Sequence, residues 1–186
     1  MDDKFYVGYA TVHKLVHTLA ERLLDSGYDP DVIVAIGSGG FIPARIVKTY
    51  INRPIFAVGI SYYGIGNIHS DHPQKIQWID EAQRHLKNKK VLLIDEVDDT
   101  RATLSYCVRE LLNYEPQEIA VLVLHNKLKP KDDDFPPDIK RYFAGMDIPD
   151  VWIKYPWDAE NIDEHEACEK AMLERLACAS IKKENR

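Results

Sequence analysis

One stretch constrains this chain more than any other: Val91–Thr103, Val-Leu-Leu-Ile-Asp-Glu-Val-Asp-Asp-Thr-Arg-Ala-Thr. Val91 to Ile94 is an unbroken apolar run with β-branched residues at both ends, the signature of a strand buried on both faces of a parallel sheet. The run stops at Asp95-Glu96, because acids are costly to bury without partners. Asp99-Thr100-Arg101-Ala102-Thr103 then leads into a helical pattern over Leu104–Leu112. Strand, polar loop and helix N-terminus together make an anion cradle: free N–H groups and the helix dipole face the ligand, and Thr hydroxyls add donors. The adjacent acids can hold a hard cation or grip sugar hydroxyls. A phosphorylated sugar would satisfy both features at once.

A second unit of the same kind precedes it. Asp31–Ile36 predicts a strand, followed by Gly37-Ser38-Gly39-Gly40 and a helical segment in which Pro43 suits the first turn. Three glycines in four residues let a backbone come into contact with a ligand. Arg45, one turn into that helix, either faces the anion or solvates the helix flank. Pro54–Tyr62 predicts the next strand. Tyr63–Gln77 is polar and without period, which in a small domain marks a lid or a surface hairpin, with Gln77–Asp80 as the returning strand. Glu118–Leu124 is another buried strand, ending in His125-Asn126-Lys127. Ligands of open α/β sheets bind at the carboxyl ends of strands, so Lys127 is a donor at the site.

The C-terminal part differs. Lys129–Lys140 reads as a surface loop and Arg141–Ala144 as an extended piece. Asp147–Asp158 carries three aromatics and two prolines, a rigid irregular lid whose Trp offers a flat face to a base. Helices are predicted over Tyr9–Gly27, with Val12, Leu15, Val16, Leu19 and Leu23 on one stripe, and over Glu164–Ala179. His13 and His17 lie one turn apart in the first helix but have no third ligand in view, so they read as helix-face residues.

Composition narrows the function classes. A net charge of −6 over 186 residues argues against a general nucleic-acid binder. Cys107, Cys168 and Cys178 lack metal-ligand spacing, and nothing implies a disulfide. No run reaches the ~20 apolar residues of a membrane span. With a charged N-terminus, a soluble cytoplasmic protein of one domain is expected.

The Val91–Thr103 stretch resembles the phosphoribosyl diphosphate (PRPP) motif of the type I phosphoribosyltransferases: four apolar residues, two acids, two spacers, then Asp-Thr-Gly-x-Thr. Arg101 stands where that pattern usually has Gly, and Asp-Glu-Val-Asp-Asp-Thr-Arg is similar to the fungal purine branch. Trp-Ile-x-x-Pro-Trp-Asp, residues 152–158, resembles the purine hood of the guanine–xanthine and fungal enzymes. The resemblance implies an α/β fold with a mostly parallel central sheet of about five strands flanked by helices, and a small C-terminal hood over about 141–158.

It also implies an activity: transfer of the 5-phosphoribosyl group from PRPP to N9 of a 6-oxopurine, with Mg²⁺. By the same resemblance Asp95 and Glu96 hold the ribose hydroxyls and, in part, the metal. Asp99 is the general base, and Asp99, Thr100, Arg101, Ala102 and Thr103 bind the 5-phosphate. Gly37, Ser38, Gly39 and Gly40 form the pyrophosphate loop, in which the Gly37–Ser38 peptide is often cis. The arginine that relatives use for pyrophosphate is either unfilled here or is Arg45. Ser61-Tyr62 opens a flexible catalytic lid over about 61–77. Lys127 donates to the purine O6, Trp152 stacks on the base, Ile153 offers backbone groups to its edge, and Asp158 reaches a second Mg²⁺ through water. A homodimer or homotetramer is implied, with no nucleic-acid or membrane partner. Another type I phosphoribosyltransferase and a non-enzymatic PRPP-binding regulator are the alternatives. Lys127 and the hood speak against the first, Asp99 and the long loop against the second.

Overall fold

The computed structural model describes residues 4–63 and 69–184, with side chains over 4–61 and 73–178. The chain divides into two compact units, Leu15–Pro149 and Met1–Lys14 with Asp150–Arg186.

The larger unit is built on a six-stranded sheet. Its strands are β2 (Val32–Gly37), β3 (Ile55–Tyr63), β4 (His69–Gln77), β5 (Lys90–Asp98), β6 (Glu118–Lys127) and β7 (Arg141–Ile148). The spatial order is β4-β3-β2-β5-β6-β7. All neighbours run parallel except β3 and β4, which form an antiparallel pair at one edge. The chain moves from β2 outward to β3 and later from β5 outward to β6 and β7, so the order reverses between β2 and β5. That reversal opens a crevice at the carboxyl ends of these two strands.

Both faces of the sheet are covered, which is why its strands read as continuous apolar runs. On one face Val34, Val91, Leu93 and Val121 pack with Leu104, Cys107, Val108 and Leu111 of α4 (Ala102–Leu112), joined by Ala82 and Leu86 of the short α3 (Ala82–Leu86). The residues of opposite parity, among them Ile33, Leu92 and Leu122, are equally buried. Ala44 and Val47 turn the apolar side of α2 (Phe41–Ile51) inward. α1 (Tyr9–Asp25) buries Val16, Leu19 and Leu23. Gly145 on β7 leaves the space in which the Leu15 side chain lies.

Several expectations are corrected. β5 does not stop at Ile94 but runs to Asp98, and β6 continues past Leu124 to Lys127. Ladder pairing such as Asp98↔Asn126 carries both onward, because it needs backbone groups rather than apolar side chains. The polar stretch before Gln77 is largely strand: β4 pairs with β3, with Ser61 opposite Gln74. It is anchored where the sequence suggested no anchor. Lys75 reaches Glu110 on α4 at 2.6 Å, and Trp78 stacks near Tyr114. Residues 64–68 of the expected lid lie outside the described residues.

In the smaller unit β1 (Lys4–Tyr6), unforeseen from the sequence, pairs in parallel with β8 (Trp152–Lys154). The supposedly irregular segment is thus part strand, followed by a 3₁₀ turn, Pro156–Asp158. Helix α5 (Ile162–Glu184) starts earlier and ends later than expected, its start capped by the Asn161 side chain, which accepts from the Glu164 N–H. It holds β1 through Glu169, which accepts from the Gly8 N–H at 2.7 Å, and His165, 2.9 Å from the Val7 carbonyl. No helix among the described residues is long and apolar enough to cross a membrane.

Candidate active site

The crevice between the ends of β2 and β5 is a cavity of about 290 Å³. Gly37, Ser38 and Gly39 form one wall; Asp95, Glu96, Asp99, Thr100, Arg101 and Thr103 form the other. The two loops singled out in the sequence therefore face one space. The Gly37–Ser38 peptide is cis. A side chain at Gly39 would land on the Glu96 carboxylate, and one at Gly40 would meet the carbonyl oxygens of Ile36 and Ile94. The glycines thus permit close approach between loop and strand. Arg101 ends the second loop as the residue capping α4, with φ 70° in the left-handed region. This is the conformation for which a Gly at that position is suited. Arg45 lies on the exposed flank of α2, its guanidinium donating to Thr49 Oγ1, and it is not among the residues lining the cavity.

The acids divide into two pairs. Asp98 and Asp99 each face two cations. Asp98 is fully buried; Arg101 donates to its Oδ2 through Nε (3.0 Å) and Nη2 (2.7 Å), and Lys131 lies 3.4 Å from its Oδ1. Tyr142 also donates its hydroxyl to Oδ2, at 2.8 Å. Burial and the Asp98 charge keep that phenol protonated far beyond its ordinary range. Asp99 is held by Lys127 at 3.0 Å and Lys129 at 2.7 Å. Burial would raise its carboxyl, but the two lysines outweigh it and hold the group below the usual carboxylate value.

Asp95 behaves oppositely. Burial, and then the Glu96 carboxylate beside it, push its proton affinity well above the ordinary range. Two adjacent hard oxygen donors, one of them burdened by the other's charge, suit a divalent cation. Among the described residues no three His, Cys, Asp or Glu side chains converge into a metal cage. Mg²⁺ takes one or two carboxylates and completes its shell with water and substrate phosphate, so Asp95 and Glu96 are the residues that could hold it.

The sequence reading passed over Asp98, taken as a spacer, and Lys129 and Lys131, placed in a surface loop. A signal was present in charge alone: lysines at 127, 129 and 131 follow a strand expected in the same sheet as the one that runs into Asp95, Glu96, Asp98 and Asp99, acids that need counter-charge.

In the smaller unit Trp152 is 67% exposed, leaving its ring open. The Lys154 carbonyl accepts from the Val7 N–H. Successive residues of a strand point their backbone groups to opposite edges, so those of Ile153 face the edge of β8 away from β1. Asp158 closes the 3₁₀ turn, beside the stacked rings of Tyr155 and Trp157.

Residues 8–157 match the phosphoribosyl transferase domain. The chain belongs to the phosphoribosyltransferase family. The phosphoribosyltransferase chain is 40% identical to the hypoxanthine-guanine phosphoribosyltransferase of Schizosaccharomyces pombe, across 88% of its own length and 93% of that protein. It is also 40% identical to xanthine phosphoribosyltransferase 1 of Saccharomyces cerevisiae, across 91% and 97%. Among solved structures, a Neisseria gonorrhoeae protein with bound ppGpp superposes with a TM-score of 0.85 at 40% identity, covering 92% of this chain and 98% of that one. The likeness to fungal purine enzymes suggested by Asp95–Arg101 is therefore a relationship of nearly the whole chain.

Proposed function

We propose that this phosphoribosyltransferase acts in purine salvage, transferring the 5-phosphoribosyl group of PRPP to N9 of guanine, xanthine or hypoxanthine. The products are the nucleoside monophosphate and pyrophosphate. The observation that carries this reading is the meeting of the Gly37–Gly40 and Asp99–Thr103 loops across one cavity that also presents Asp95 and Glu96, with Lys127 behind the lining and 3.0 Å from Asp99.

In this reading the 5-phosphate lies on the backbone of Asp99 to Thr103 at the start of α4, where first-turn N–H groups have no intrahelical partner. The pyrophosphate lies on Gly37 to Gly40. Asp95 and Glu96 hold the ribose hydroxyls. Asp95 and Glu96 would also hold Mg²⁺, which would neutralise the leaving pyrophosphate; Asp158 is the smaller unit's candidate for a water-mediated metal contact. As the sugar C1 gains positive charge, N9 of the base attacks it, and Asp99 takes the proton released from the purine. Lys127 donates to O6, and Trp152 and Ile153 are the smaller unit's candidates for the face and edge of a base. Ser61 and Tyr62 lie in the β3–β4 pair, whose closure over the site would exclude water from the reactive sugar. We also propose a cytoplasmic homodimer or homotetramer built from a single domain of this kind.

The test is to offer guanine, xanthine, hypoxanthine and adenine one at a time with PRPP and Mg²⁺ and to detect nucleotide. Nucleotide from an oxopurine and none from adenine is expected; adenine as the preferred base would overturn the assignment. The ppGpp held by the Neisseria relative favours a second, compatible reading: a guanine nucleotide carrying diphosphates occupies this cavity and inhibits competitively with PRPP. Inhibition that PRPP fails to relieve would count against it.

A further inference from the structure

The part of the proposed 5-phosphate loop that precedes α4, with Asp98 before it, is tied down residue by residue from Asp98 to Arg101. Lys131 Nζ donates to the carbonyls of Asp98 (2.8 Å) and Asp99 (2.9 Å), and also to that of Lys127 (3.0 Å). The Asp132 N–H donates to the Thr100 carbonyl at 3.0 Å. The last residue, Arg101, is tied by its side chain. Its guanidinium donates twice to buried Asp98 and lies over two neighbouring rings, 4.6 Å from the centroid of Phe135 and 5.5 Å from that of Tyr142.

This arrangement is specific to an arginine. A Gly at φ 70° adopts the left-handed turn freely, whereas another L-residue pays roughly 1–2 kcal/mol for it. Arg101 keeps the turn and adds a fork that only a planar guanidinium makes, stacked as well as hydrogen-bonded. A site built on backbone N–H groups needs its loop held to within about 0.5 Å of the productive geometry.

We propose that Arg101 is a positioning residue: through Asp98, Tyr142 and Phe135 it locks the turn that presents the Asp99–Thr103 N–H groups to a sugar 5-phosphate. It acts through the loop and not as a direct counter-ion of the substrate. The proposal rests on the phosphoribosyl-transfer reading.

Four proteins test it: wild type, Arg101→Gly, Arg101→Lys and Tyr142→Phe. Each is assayed for kinetics and for calorimetric binding of ribose 5-phosphate and of pyrophosphate. Arg101→Gly permits the turn but lacks the lock. It should raise the KM for PRPP about ten-fold, as loss of positioning does, and weaken ribose 5-phosphate comparably. The kcat, the KM for the purine and pyrophosphate binding should stay within about two-fold. Arg101→Lys keeps the charge but not the fork, and should resemble Arg101→Gly. Tyr142→Phe keeps the ring and removes one bond to Asp98; it should raise the same KM by a smaller factor, and it carries the test if Arg101→Gly does not fold. A wild-type-like Arg101→Lys with a weakened Arg101→Gly would make Arg101 a plain cationic ligand and overturn the proposal. So would unchanged ribose 5-phosphate binding in Arg101→Gly, or in Tyr142→Phe where Arg101→Gly does not fold, or no such binding by wild type. If no base accepts a phosphoribosyl group, the reading of the reaction fails, yet ribose 5-phosphate binding still decides the role of Arg101.

Discussion

The Lys127 ammonium lies 3.0 Å from the Asp99 carboxylate. The proposed purine donor and the proposed base are thus each other's counter-charge. A 6-oxopurine would replace that contact at both ends, its O6 taking Lys127 and its acidic ring proton passing to Asp99. For Asp99→Asn, which keeps size but loses proton affinity, kcat should fall by ~10²-fold or more, in the usual range for such a role. PRPP binding should change little. A loss confined to PRPP binding would make Asp99 an element of the phosphate loop instead.

Lys127 is only 8% exposed, so a base that presents a donor to it sets like against like in a poorly solvated place. Such mismatches cost ~1–3 kcal/mol or more. Lys127→Met should lower kcat/KM for guanine and hypoxanthine about equally, since both present the same O6. PRPP titration should be unaffected. Weakened PRPP binding with base selectivity intact would make Lys127 a phosphate ligand.

Lys129 stands 2.7 Å from the other Asp99 oxygen. With Lys127 it keeps Asp99 ionised below the usual carboxylate range. A base must be unprotonated, so kcat/KM falls as pH drops through its pKa. Removing one cation raises that pKa, and Lys129→Met should move the acidic limb of the pH profile to higher pH. An unmoved limb would show that Lys129 does not tune the base.

His125, on β6 two residues before Lys127, is fully buried, and burial pushes its pKa down to about 4. The unfolded chain takes up the proton near pH 6.5, the folded chain only near pH 4. Stability from keeping this ring neutral is complete above pH 6.5 and is lost as pH falls toward 4, by roughly 3 kcal/mol at most. Denaturant melts between these pH values should show that decline, and His125→Leu should flatten it. An equal slope in the variant would assign the pH dependence to other groups.

Much of this protein was legible from its residues alone. The apolar runs within Asp31–Ile36, Val91–Ile94 and Glu118–Leu124 announced buried strands, because a strand covered on both faces has no polar side to reveal. The Gly37–Gly40 and Asp99–Thr103 loops announced their strand–loop–helix context, since glycines and acids are expensive in regular elements and cheap at anion-binding turns.

Tertiary structure decided the rest. The carriage of β5 to Asp98 and β6 to Lys127 depends on ladder partners far along the chain. So does β8, which takes its partner from Lys4–Tyr6 at the other end of the sequence. The division of the acids was likewise hidden: Asp98 joins Arg101 and Tyr142, Asp99 joins Lys127 and Lys129, and Asp95 is left beside Glu96. A carboxylate's charge is written in its sequence position, but its proton affinity is set by burial and by which cations the fold brings within a few ångströms.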